Sequence, residues 1–108
     1  MKIKTIDIIA KEWNDNKNGN SYFAGFATIN MGMKSERVIK VPFQYGHDNR
    51  FIESSMHELE KKGVLTDVVH HFNGSTEPLW RYCDERSIAL RTHITRNCTK
   101  KEVMDFVR

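Results

Sequence analysis

The stretch Asn14-Asp15-Asn16-Lys17-Asn18-Gly19-Asn20 constrains the fold of this chain more than any other. Asn18-Gly19 tolerates the positive φ angles of a tight hairpin turn. Before it, residues 3–13 read as a strand with Ile6, Ile8 and Ala10 on one face and Asp7, Ile9 and Lys11 on the other. After it, residues 21–31 put Phe23, Gly25, Ala27, Ile29 and Met31 on one side, opposite Tyr22, Ala24, Phe26, Thr28 and Asn30. A second connection, Gly32 to Glu36, leads into a strand over 37–43 in which Ile39, Val41 and Phe43 share a face. Pro42 has no amide donor, which predicts a sheet edge or a strand end. A three-stranded antiparallel meander is therefore the expected start of the fold.

The periodicity then changes. Ile52, Met56 and Leu59, widened by Phe51 and Ser55, form one face of a helix that Asp48 or Asn49 caps and Gly63 ends. The β-prone run Val64–Phe72 predicts a further strand, and residues 73–85 a loop whose Leu79, Trp80 and Tyr82 fold back on the core. Residues 87–95 read as a strand with Ile88, Leu90 and Ile94 opposite Arg91 and His93. Thr99 and Glu102 fit a capping box ahead of a short helix with Val103, Met104, Phe106 and Val107 on its apolar side. The expected fold is α+β: a two-layer sandwich with an antiparallel sheet, in the order β-β-β-α-β-β-α. With 108 residues, a single domain over 1–108 is expected.

Several functional classes lack support. No apolar run is long enough to span a bilayer, and charges interrupt the first residues, as a secretion signal would not allow. An intracellular protein is expected. Two cysteines do not make a disulfide scaffold, and Asn73-Gly74-Ser75, a glycosylation pattern in secreted chains, reads as a turn. His70, His71, Cys83, His93 and Cys98 show no metal-ligand interval, so neither metal nor cofactor is expected. A Cys83 or Cys98 thiol beside a histidine is the alternative of a small enzyme, but no glycine-rich oxyanion loop accompanies it. Phosphate-loop, dinucleotide and metalloprotease motifs are missing as well. A non-enzymatic binding protein is the expectation.

Two regions carry it. Residues 1–80 hold 10 Lys/Arg and 10 Asp/Glu, whereas 81–108 hold 7 and 4, so the net charge of +3 lies in the last quarter. There Arg91, His93, Arg96, Lys100 and Lys101 form a candidate nucleic-acid, nucleotide or anion site, near Trp80 and Tyr82 as stacking residues. The favoured alternative is a protein interface at Phe43, Gln44, Tyr45 and His47, with Trp80. Surplus aromatics on the second sheet face also predict a homo-oligomer, unless the 73–85 loop covers that face.

The segments Ile8-Ile9-Ala10-Lys11-Glu12-Trp13, Asn18-Gly19-Asn20-Ser21-Tyr22-Phe23 and Val41-Pro42-Phe43-Gln44-Tyr45-Gly46 resemble small accessory proteins of tailed bacteriophages and prophages. The resemblance covers mainly residues 3–63 and carries over no catalytic residues. It implies a host-cytoplasmic accessory protein that binds a host or phage protein, such as a component of host defence.

Overall fold

The computed structural model describes residues 2–108. Its elements are β1 (Thr5–Asp15), β2 (Asn20–Ile29), β3 (Arg37–Tyr45), α1 (Arg50–Lys61), α2 (Leu79–Glu85), β4 (Ala89–Thr95) and α3 (Lys100–Phe106). They form an α+β sandwich around one four-stranded sheet in the order β3-β2-β1-β4.

The meander forms as its turn chemistry requires. Gly19 takes φ +68° and donates its amide to the Asp15 carbonyl at 2.8 Å. Asp15 also accepts from the Lys17 amide and the Asn18 side chain. The resulting register pairs Ile8 with Ala27 and Ala10 with Gly25. A side chain on Gly25 would strike the Ile9 carbonyl, so only glycine allows β1 and β2 to approach this closely. Between β2 and β3 the register slips: Phe23 pairs with Gln44 and Gly25 with Val41, leaving Ala24 opposite both Pro42 and Phe43.

Ile6, Ile8, Phe23, Ala27, Ile39 and Val41 bury one sheet face under α1 and α2. Each fully buried Ile, Val or Phe side chain among them contributes about 1.5–3 kcal/mol. α1 follows its predicted stripe, with Phe51, Ser55, Met56 and Leu59 buried. It ends at Gly63, φ +74°, where Gly63 donates to the Glu60 carbonyl and Val64 to the Leu59 carbonyl. The second sheet face is half covered. α3 lays Val103, Val107 and Phe106 over Ala24, Phe26, Trp13 and Phe43 at one end. The predicted capping box starts α3, and hydrogen bonds from the Thr99 amide, then from its side chain, hold the exposed Glu102 carboxyl below its ordinary range.

Several expectations need correction. The register slip turns Phe43 to the Tyr22 side of the sheet, so it does not share the face of Ile39 and Val41. The sheet is mixed, because β4 runs parallel to β1. Residues 64–72 are not a strand: Val64 and Leu65 are buried where the chain leaves α1, and Asp67 turns the backbone with φ +61°. Only an isolated bridge joins His70 to Thr76, because β4 already occupies the edge beside β1. Residues 79–85 are a helix rather than part of a loop, started by Pro78 and burying Leu79, Tyr82 and Cys83 at helical spacing. The element order is thus β-β-β-α-α-β-α. The covered end of the second sheet face lies under α3, not under the 73–85 segment.

Candidate functional site

Asn30 shows how thoroughly buried polar groups are satisfied here. It has no exposed surface, takes φ +52°, accepts from the Lys4 and Thr5 amides and donates to the Lys2 carbonyl and the Ser35 hydroxyl. The arginines of the C-terminal quarter are used in the same way. Arg91 forks onto Asp7 through Nε–Oδ1 at 2.6 Å and Nη2–Oδ2 at 3.1 Å, tying β4 to β1 across a paired position. Arg96 meets the buried Glu12 carboxylate at 2.9 Å. The positive excess at the end of the sequence therefore includes two counter-ions for acids at its beginning. His93 and Lys101 are exposed, and Lys100 lies 5.5 Å from the Trp13 ring centroid. The five predicted anion-site residues do not converge as free cations.

The predicted protein-contact residues separate onto two surfaces. Trp13, Tyr22 and Phe43 stack in a row at centroid distances of 5.3 and 5.4 Å, and Tyr45 meets Tyr22 edge-on. The Tyr45 hydroxyl is 2.9 Å from His47 Nε2, and Gln44 Nε2 donates to the Pro42 carbonyl. Trp80 lies elsewhere, at a cleft on the α1–α2 side of the sheet.

That cleft has a volume of about 750 Å³. Ile52, Met56, Leu79 and Leu90 supply apolar lining, and Trp80 is 64 % exposed at its wall. The 70–77 loop, folded on itself, supplies a further part of the lining. Within it His71 donates to the Ser75 carbonyl and Gly74 to the His71 carbonyl, and next to it Glu77 donates to the Val69 carbonyl. A side-chain chain fastens the loop to α1: Glu60 Oε2 to His70 Nε2 at 2.8 Å, then His70 Nδ1 to Thr76 Oγ1 at 3.0 Å. A carboxylate only accepts, so in neutral His70 the Nε2 carries the proton and Nδ1 accepts from the Thr76 hydroxyl.

The electrostatics of the lining are uneven. The lining holds Glu53, Glu60 and Glu77 but one guanidinium, that of Arg50, which pairs with Glu53 at 3.2 Å. Glu77 is only 4 % exposed and accepts from the Val69 amide at 2.7 Å, with no Lys or Arg partner among the described residues. Of these lining residues, sequence reasoning named Trp80 as a contact and His70 as a candidate metal ligand or thiol base. Glu60, Thr76, Glu77 and Leu90 come together through loop closure, which no local spacing announces.

The cysteines lie on opposite sides of the sheet, Cys83 in the α1–α2 core and Cys98 under α3. Burial, slightly opposed by Arg86, pushes the Cys83 thiol up to about 11, so it is a neutral core side chain at pH 7. Among the described residues no group of three or more His, Cys, Asp or Glu is placed to hold a metal ion, and no helix is long and apolar enough to cross a membrane. Comparison with protein-family models, with curated proteins and with solved structures finds no match, so the site has to be read from its own chemistry.

Proposed function

We propose that this chain is a non-enzymatic binding protein whose cleft holds a basic segment of a protein partner. The observation that carries the reading is the exposed Trp80 beside a lining with more carboxylates than cations. A Lys or Arg side chain over the indole gains a cation–π contact, its stem lies along Leu79 and Leu90, and Glu60 and Glu77 supply the compensating charge. Tryptophan in a concave, partly apolar site is also the residue type that dominates interface energetics. In this reading the Glu60–His70–Thr76 chain is structural and holds the loop wall in place. The likeness to tailed-phage accessory proteins supports a host or phage protein in the host cytoplasm as the partner.

Peptide display against the purified chain tests the proposal. Selected sequences should be rich in Lys or Arg beside apolar residues. In a Trp13→Phe background, which leaves Trp80 as the reporter, these peptides should shift the indole emission. Trp80→Ala should weaken them by about tenfold or more, equivalent to about 1.4 kcal/mol. Selection of acidic peptides, or binding that leaves Trp80 silent, would refute it.

A second reading rests on the Trp13–Tyr22–Phe43 row with Lys100 beside Trp13, an arrangement suited to stacking unpaired bases. Capture from bacterial lysate, repeated after nuclease treatment, separates the two. Partners lost on digestion favour nucleic acid, and partners retained but lost with Trp80→Ala favour the cleft.

A further inference from the structure

We propose that two copies of this chain pair through the outer edge of β4, antiparallel and centred on Thr92, to form one continuous sheet. β4 is the last strand of the order β3-β2-β1-β4, and most of its residues are exposed. The amide of Ala89 donates to the Lys4 carbonyl, which orients this residue toward β1. By the alternation of a strand, Arg91, His93 and Thr95 follow it. The amides and carbonyls of Leu90, Thr92 and Ile94 then point away from the sheet. They form an unpaired template over the length of the strand.

The opposite edge is protected. β3 carries Pro42, a register slip at Ala24, and Lys40 and Arg37. β4 has neither proline nor glycine, and its one charged residue, Arg91, is turned onto Asp7. Nothing along β4 resists an added strand.

The sequence of β4 matches itself. With Thr92 opposite Thr92 of a second copy, Leu90 faces Ile94 and Ile94 faces Leu90 on the core side. On the other side Arg91 faces His93, and Ala89 faces Thr95. The two half-buried apolar residues cover one another, and no two guanidiniums stand directly opposite. Centring on Arg91 would instead set two guanidiniums opposite each other. A foreign strand would need no such palindrome, so the observations favour a second copy. The twofold axis leaves both core faces on the same side, so the two Trp80 clefts, each lined by Leu90 and Thr92, adjoin across it.

Sedimentation velocity of the full chain over a concentration series tests this. The expected mass is twice 12.7 kDa, and Thr92→Lys, which places like charges across the axis, should give 12.7 kDa with an unchanged circular dichroism spectrum. A Cα spacing of about 5.5 Å at a hydrogen-bonded antiparallel pair suits a disulfide. Oxidised Thr92→Cys should therefore form a covalent dimer, and Ala89→Cys should not. A monomer at all concentrations that gives no Thr92→Cys crosslink overturns the proposal. So does a dimer that survives Thr92→Lys, or a monomer that gains mass only with a foreign protein. Because Trp80 is not required for pairing, peptide binding by a monomeric chain would defeat this inference alone.

Discussion

The two edge strands of the sheet are fastened by different forces. β3 is held by burial: Ile39 and Val41 lie under α1, and Phe43 stacks on Tyr22. β4, beyond its backbone ladder with β1, has side-chain ties that are largely charged. Among its own side chains only Leu90 and Ile94 are even half-buried, while Arg91 grips Asp7 and Arg96, just beyond it, grips Glu12. An edge held by apolar contact can tolerate a proline and a bulge, and β3 has both. An edge held by cross-strand pairs must keep its register against β1, and so remains regular and open. The regularity that lets β4 bind β1 is the same regularity that exposes it to a further strand.

Substitutions test this contrast, from the largest expected effect down. Ile39→Ala removes core volume beneath α1 and should cost about 2–4 kcal/mol in urea unfolding, with little dependence on salt. Arg96→Ala leaves Glu12 buried without its cation. The loss should be about 1–3 kcal/mol, reduced from a fully buried pair because Arg96 is half-exposed, and Arg96→Ala with Glu12→Gln should recover part of it. Equal salt sensitivity at the two edges would break the contrast.

Thr5, beside β4, sharpens it in the other direction. Its hydroxyl is buried with no hydrogen-bond partner, so Thr5→Val should be neutral or stabilising, by about 1 kcal/mol at most. Destabilisation in the same unfolding assay would show that the hydroxyl has a role that its surroundings do not reveal.

Cys83, in α2 beneath β4, has no effect at neutral pH. Its folded pKa is raised from 9.0 to about 11, so the folded state holds the proton more tightly. Below pH 9 both states are protonated and stability does not depend on it. As pH rises from 9 toward 11 the unfolded state loses its proton first, and stability falls. That decline should be missing in Cys83→Ala, and iodoacetamide at pH 8 should label Cys83 only as fast as the chain opens. Rapid labelling in the native state would contradict its burial.

Local patterns made most of the fold legible. The Asn18-Gly19 turn, the alternation in β1 and β2, the α1 stripe with Gly63 and the Thr99–Glu102 box each contain their own explanation within a few residues. The α2 helix was legible too, in Pro78 followed by Leu79, Tyr82 and Cys83, but the surrounding polar loop hid it. Val64–Phe72 misled for a different reason. β-propensity describes fit to a pleated surface, and this run closes on its own loop, through Val69 with Glu77 and His70 with Thr76, instead of joining the sheet.

The sequence by itself determined the hairpin, the faces of β1, β2 and β4, the Gly63 end of α1 and the Thr99–Glu102 cap of α3, because these depend on backbone preference and on spacing within one element. Tertiary structure decided that β4 would lie parallel to β1, that Arg91 and Arg96 would neutralise Asp7 and Glu12, and that Trp80 would stand apart from Tyr45 beside Glu60 and Glu77. These are contacts between residues distant in the chain. Burial and charge compensation select them only once the sheet has formed, and no periodicity within an element encodes them.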